Sequence, residues 1–329
     1  MAEKGKAEET PNEGALCGRG ASAKKRTGLT TGAGGKIAPM SGTRFELLRW
    51  ARIFLKQHGR DENIGEILLM HRLSLSRTHL LAGLQEPLAG ADAAWLRARV
   101  IEHVRTGRPV QYMIGRALFC GRDFMVAPGV LIPRPDTEML VVRCGEWASR
   151  FFSWQKLSVC EIGTGSGAVA VTLSLEHPQW KLTATDVSPE ALAVAEANAG
   201  RLGASLTFRR GDLFEPLRGR AFDVLVSNPP YISRPEMAGL SDTVGNFEPH
   251  LALCGGEDGL DFYRRIFHGL PPLIRPHRRL LLALEIGAAQ GAAVANMIRR
   301  RFGKHIVKLS VEKDLAGLDR NVMAVLQSD

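Results

Sequence analysis

Cysteine is scarce in this chain and poorly placed for a scaffold. The five residues, Cys17, Cys120, Cys144, Cys160 and Cys254, are odd in number and include no CxxC pair, which argues against a disulfide framework or a zinc ribbon and points to a reducing cytoplasm. Long apolar runs are missing as well. The best, Leu280 to Leu284, stops at Glu285, far short of the roughly 18 residues that a membrane span needs. The N-terminus has no apolar signal core, and its four glutamates argue against an organelle transit peptide. His58, His71, His79 and His103 show no metal-like clustering. Membrane, secreted-scaffold and metal-centred functions are therefore set aside.

What remains is an ordinary globular composition, 45% hydrophobic and 23% charged over 329 residues, long enough for about two domains. The net charge of +9 is uneven. Residues 1–40 carry 7 basic and 4 acidic side chains, residues 41–127 carry 13 and 8, and residues 128–329 carry 23 and 22. The first stretch is rich in Gly, Ala, Lys and Thr with almost no large apolar side chains, and reads as a disordered tail ending at Met40. The second carries most of the surplus, with Arg97, Arg99 and Arg105 among it, and is expected to dock an acidic or phosphate-bearing partner. The third is nearly neutral, which suits chemistry better than nucleic-acid binding.

Along the chain, Thr43 and Glu46 form a capping-box pattern ahead of a first helix, and further helices are expected at about 62–72, 76–84 and 91–106. This small helical domain spans residues 41–108. Residues 109–132 turn to an alternating, glycine-broken pattern that reads as a hairpin linker. Residues 133–329 then read as a separate α/β domain, whose first helix opens at Pro133-Arg134-Pro135-Asp136-Thr137-Glu138, capped by Asp136 or Thr137. Capping accounts for every residue there except Arg134, which is held between two prolines and so is a candidate for substrate binding.

The buried strand 157–162 runs straight into Gly163-Thr164-Gly165-Ser166-Gly167 and an apolar helix. Strand, glycine loop and helix open a doubly wound, nucleotide-binding sheet. A second strand ends at Asp186, about 20 residues past the loop, where an acid commonly accepts ribose hydroxyls. A third leads to Asp212 and Leu213, suited to an exocyclic amine and an apolar ring face. A fourth, Phe222 to Val226, leads to Asn228-Pro229-Pro230-Tyr231. In a parallel sheet all of these stand at the carboxyl ends of strands, on one edge. Taken alone, the loop also fits the dinucleotide pattern GxGxxA of nicotinamide enzymes.

The tetrapeptide suggests specific chemistry. Proline has no N–H to donate, so the Asn228 side-chain oxygen and the Pro229 carbonyl can act as two acceptors on a stiff backbone. Two acceptors suit an –NH₂ group, with Tyr231 stacked on its face. Further on, Glu248-Pro249 and the glycines at 255, 256 and 259 mark a long connection that reads as a lid or a substrate-facing loop.

Pro109-Val110-Gln111-Tyr112 with Gly115, the hairpin, Ile132 to Glu138, EIGTGSG, NPPY, Glu248-Pro249 and LEIG at 284–287 together resemble the HemK-like peptide chain release factor glutamine methyltransferases, class I S-adenosylmethionine-dependent enzymes. The resemblance covers residues 43–327; Glu161 stands where the family often has Asp. It implies a Rossmann-like seven-stranded sheet of order 3-2-1-4-5-7-6, the seventh strand antiparallel. It implies methyl transfer from S-adenosylmethionine, with S-adenosylhomocysteine as product, to the glutamine of a Gly-Gly-Gln loop in a release factor. The expected cofactor residues are Glu161, Gly163 to Gly167, Asp186, Asp212, Leu213 and Asn228. Asn228, Pro229 and Tyr231 are expected to be catalytic, and these with Pro230 and Arg134 to hold substrate. No metal, membrane or stable nucleic-acid partner is expected, and the chain should be monomeric. NPPY alone also serves enzymes that methylate adenine N6 or guanine N2, which makes a nucleic-acid amine methyltransferase the alternative.

Overall fold

The computed structural model describes residues 42–152 and 156–328, so the tail expected over residues 1–40 lies outside the described residues. The capping box at Thr43 is formed. Thr43 Oγ1 accepts from the Glu46 N–H at 3.3 Å, and Glu46 Oε2 accepts from the Thr43 N–H at 2.9 Å, which starts the helix Arg44–Gln57. Helices Ile64–Leu73, Arg77–Ala82 and Gly90–Thr106 follow. Leu47, Ala51 and Leu55, one helical turn apart, pack with Leu68, Leu80 and Leu96 into one apolar cluster.

The segment after Arg108 differs from expectation at its start. Val110–Ile114 is a short helix, with Pro109 at its N-cap and Gly115 closing it at φ 71°. Pro109 presets the backbone and Gly115 supplies the left-handed exit, so a single turn forms where alternation suggested strand. The hairpin itself is Arg116–Phe119 paired with Arg122–Met125. Its turn places Cys120 and Gly121 at φ 46° and 71°, the two positive values that match the twist of a tight hairpin.

The helix Pro135–Phe151 also corrects an expectation. Arg134 occupies the N-cap without a side-chain bond and Pro135 is the first helical residue. Pro135 has no N–H to be satisfied there, so Asp136 and Thr137 fall within the first turn and do not cap it. That frees Thr137 for another partner.

The main sheet has strands β1 Ser158–Ile162, β2 Lys181–Asp186, β3 Thr207–Arg210, β4 Val224–Ser227, β5 Arg279–Glu285, β6 Ile306–Lys313 and β7 Asp319–Gln327. Their order is 3-2-1-4-5-7-6, with β7 antiparallel to both neighbours and the rest parallel. The inner strands β1, β4, β5 and β7 are largely buried on both faces because helices cover both, whereas the edge strands β3 and β6 are only partly buried. On β5, Leu281 and Ala283 join the cluster under the helices Pro135–Phe151 and Ala168–Glu176, while Leu280, Leu282 and Leu284 join the one under Asp261–Gly269 and Gly291–Phe302. The register pairs Ile162 with Thr185 and with Ser227, and Ser227 with Leu284. The exits of β1, β2, β4 and β5 therefore stand side by side.

Thr43→Ala removes half of the reciprocal cap. It is expected to lower the unfolding free energy by about 1 kcal/mol, seen as a lower urea midpoint at unchanged slope. Ligand binding at the carboxyl edge of the sheet should be unaffected.

Candidate active site

The glycine loop leaves β1 under tight local control. Gly163, Gly165 and Gly167 have φ of 72°, 56° and 81°, values that only glycine adopts without strain. The N–H groups of Gly163 and Thr164 both donate to the Thr185 carbonyl at 2.9 Å. A Cβ built on Gly163 or Gly165 meets nothing within 4 Å and would project into open space, whereas one on Gly167 would come within 3.0 Å of Ala195. The first two glycines keep the loop's surface bare, and the third permits helix packing.

Glu161 lies beneath this loop. Its carboxyl accepts from the Thr164 hydroxyl and from the Ala170 N–H, tying the end of β1 to the start of the helix Ala168–Glu176. Burial pushes its pKa up to about 8, against the opposing pull of the Thr164 and Ala170 hydrogen bonds. Asp186 at the end of β2 braces the same loop from the side: Oδ2 accepts from the Gly165 N–H at 2.8 Å and Oδ1 from the Ser188 N–H at 3.0 Å. Each oxygen retains a lone pair for another donor.

A cavity of about 340 Å³ opens over these strand ends, within the size range of small-molecule sites. Gly163, Gly165 and Asp186 line one side, Asp212 and Leu213 another, and Asn228, Pro229 and Pro230 a third. These are eight of the residues expected from sequence. Leu213 sits at φ 45°, and Asp212 Oδ2 is held by Arg265 from the helix Asp261–Gly269, leaving Oδ1.

The other expected site residues are placed elsewhere. Glu161, Thr164, Ser166 and Gly167 are buried behind the loop and not in the cavity wall. Arg134 is paired with the buried Glu248, which also accepts from the Ile132 N–H at 3.2 Å; Arg134 thus anchors the 232–259 connection and is not in the wall either. The Tyr231 ring packs against the β5 side of the core, not across the cavity. A Cβ on Gly287 would lie 3.4 Å from Tyr231 Cδ2. Burial pushes its hydroxyl up to about 12.

Several contributors were not legible as site residues. Gln290 Nε2 donates to the Tyr231 carbonyl at 2.9 Å and its Oε1 accepts from the Gly287 N–H at 3.0 Å, pinning the tetrapeptide's exit. A Cβ on Gly255 would lie 2.7 Å from the Pro230 carbonyl oxygen, and one on Gly259 would lie 2.3 Å from that of Tyr231. These glycines let one backbone press against another, so the far end of the connection expected to be a lid or a substrate-facing loop is packed closely against the tetrapeptide. The same connection does face the cavity through Pro249, Leu251 and Ala252. Thr137 and Glu285 lie behind Asn228, whose Nδ2 donates to Thr137 Oγ1 at 3.1 Å. Their signals were the Thr of PRPDTE and the Glu of LEIG.

A bare glycine loop, an acid on the next strand and a proline-stiffened Asn share one cavity, an arrangement that fits an adenosyl sulfonium ligand beside an –NH₂ acceptor. Residues 148–240 match the family model of the methyltransferase small domain, and residues 46–115 match that of the PrmC N-terminal domain. With the sheet order above, this defines a class I S-adenosylmethionine-dependent methyltransferase. The chain is 45% identical to a release factor glutamine methyltransferase of Bacillus subtilis over 87% of this chain and 99% of the other. The corresponding proteins of Bacillus anthracis and Moorella thermoacetica are each 44% identical, over 86% and 79% of this chain and 99% and 89% of theirs. The chain belongs to the release factor glutamine methyltransferase family.

The buried Glu161 carboxyl yields a pH test. The folded chain holds its proton more tightly than the unfolded chain does, so its contribution to stability is complete below the ordinary carboxylate pKa of 4.5 and is lost as pH rises through about 8. Wild-type protein should therefore lose thermal stability relative to Glu161→Gln between about pH 5 and about pH 9. A constant gap in melting temperature across that range would show a carboxyl that is ionised throughout.

Proposed function

We propose that the chain methylates the side-chain amide nitrogen of the glutamine in the Gly-Gly-Gln loop of peptide chain release factors, using S-adenosylmethionine, and so modulates translation termination. The observation that carries this reading is Asn228 in one cavity wall with the bare glycine loop and Asp186. When bound, S-adenosylmethionine supplies an electrophilic methyl group on a sulfonium. The residues present fit it. Asp186 has acceptor capacity left for ribose hydroxyls, Leu213 offers an apolar face to adenine, Asp212 Oδ1 is open to an exocyclic amine, and nothing projects from Gly163 or Gly165.

The substrate amide is a poor nucleophile because its nitrogen lone pair is delocalised into the carbonyl. Asn228 Oδ1 and the Pro229 carbonyl accept its two N–H bonds, hold the nitrogen in place and stabilise the positive charge that develops there. These acceptors are fixed before substrate arrives, so little reorganisation is needed during transfer. No strong base is required beforehand, since the nitrogen becomes acidic only as it gains the methyl group; one of its two protons would then pass to water, with the neutral thioether S-adenosylhomocysteine as the other product. Tyr231 contributes through its anchored carbonyl and packed ring, which keep the turn in place.

Residues 41–108 serve as a docking domain for the release factor, residues 109–132 as the linker, and residues 133–329 as the methyltransferase domain. The docking role is supported by the basic surplus of residues 41–127. Leu251, 61% exposed at the cavity rim, supports a protein guest that reaches in with one side chain. The near-neutral charge of residues 128–329 disfavours stable nucleic-acid binding. Among the described residues no helix is long and apolar enough to cross a membrane. A cytoplasmic monomer is the form proposed.

Asn228→Ala is expected to slow methyl transfer to a purified release factor by about 10²-fold, by analogy with loss of one oxyanion-hole donor, with far less change in cofactor affinity. Near-normal turnover would remove Asn228 from its role. Asp186→Ala should instead weaken cofactor binding first, read as a smaller thermal shift with S-adenosylmethionine. Transfer of labelled methyl to RNA or DNA in preference to a release factor would overturn the assignment of substrate.

A further inference from the structure

An asparagine amide is useful as an acceptor only if its oxygen faces the guest. Rotated by half a turn it presents –NH₂, a donor that opposes the N–H bonds of a substrate amide. Asn228 is only partly buried and sits on a turn, so its backbone does not choose between the two orientations. The choice is made behind it. Asn228 Nδ2 donates to Thr137 Oγ1 at 3.1 Å. Having accepted that bond, the Thr137 hydroxyl can still donate its own hydrogen. The Glu285 carboxyl lies near both Thr137 and Asn228, each of which favours its charged form, and its buried Oε2 has no hydrogen-bond partner of its own among the described residues, which makes it an open acceptor for the Thr137 hydrogen. Thr137 and Glu285 are 5% and 1% exposed, so the Asn228–Thr137 bond and the neighbouring carboxyl are shielded from competing water.

We propose that Thr137 and Glu285 are positioning residues that commit the Asn228 –NH₂ group to the protein interior and thereby leave Oδ1 as the acceptor for the substrate amide. The three side chains come from three elements: the first turn of the helix Pro135–Phe151, the exit of β4 and the last residue of β5. The helix turn is held in turn by Arg320 on β7, which pairs with Asp136 and Asp314 at 3.2 Å each. Flipping the amide would turn Oδ1 toward the ionised Glu285 carboxylate and would require the Thr137 hydroxyl, which can both accept and donate, to turn its hydrogen away from that carboxylate and toward Asn228. The wrong orientation is therefore disfavoured by repulsion as well as by lost bonds. This inference rests on the reading that Asn228 accepts from the substrate; the clamp itself is a property of the free protein.

Thr137→Val keeps shape and removes the hydroxyl, and Thr137→Ser restores it. Thr137→Val is expected to lower kcat for a purified release factor about tenfold, the scale of one lost hydrogen bond, with KM and S-adenosylhomocysteine affinity little changed; Thr137→Ser should recover most of the rate. Without substrate, the Asn228 side-chain amide, assigned as the NMR resonance pair lost in Asn228→Asp, should be shifted and slow to exchange in wild type and in Thr137→Ser. In Thr137→Val it should exchange faster. An unchanged amide signal and rate in Thr137→Val would overturn the proposal, as would a rate that Thr137→Ser fails to recover. If Thr137→Val does not fold, Thr137→Ala and Thr137→Ser are compared by the same amide signal. Absence of any transfer to release factors by wild type would count against the proposed substrate, and the amide signal would still decide the clamp.

Discussion

The carboxyl edge of the sheet depends on a stiff exit from β4. A parallel strand normally hands its chain to a loop free to adjust, and a loop that adjusts cannot hold two acceptors at a fixed spacing. Two successive prolines remove that freedom and also remove the N–H groups that would otherwise demand partners. The remainder of the molecule closes around the stiff turn. The 253–259 backbone approaches so closely that Gly255 and Gly259 have no room for a side chain, and Gln290 ties the Tyr231 carbonyl to Gly259 and to the end of β5. Pro229 and Pro230 are thus braced by packing from behind and remain open to the cavity on the other side.

Two buried carboxyls show how similar residues take different duties from their surroundings. Glu161 faces an N–H and a hydroxyl beneath the glycine loop, and its job is to hold one strand end to one helix start. Glu285 lies among Thr137, Asn228 and Arg320, and burial pushes its pKa up only to about 7, because all three favour its charged form. Neither lines the cavity. Acids that strand-end patterns mark as ligand contacts can equally be parts of the frame that shapes the loop.

Much of this architecture was legible in the residues. The capping box at Thr43 and the presence of Gly163, Gly165, Asp186, Asp212, Leu213 and Asn228 around one cavity follow from glycine, apolar and turn patterns, and the strand order from the family resemblance. What was hidden is what depends on long-range packing. Tyr231 reads as a ring beside a guest, yet a neighbouring apolar cluster claims it. Arg134 between prolines reads as a substrate-binding candidate, yet it pairs with Glu248, 114 residues away. Thr137 reads as a cap, and Pro135 at the first helical position displaces it from that duty. Local patterns reveal which groups are available; the partner of each is decided by the fold.

The ion pair between Arg60 and Asp242 bears on how separable the parts of the chain are. Both Asp242 oxygens accept from Arg60, at 2.6 and 2.7 Å, and Asp242 opens the short helix Asp242–Gly245, three residues ahead of Glu248. The helical N-terminal part is thereby fastened to an insertion of the α/β part, not merely joined through the hairpin. A chimera that exchanges the helical segments of two relatives must carry compatible residues at positions 60 and 242, although they lie 182 residues apart. Without such a match the exchanged domain would arrive with an unpaired arginine and an insertion released from one of its moorings.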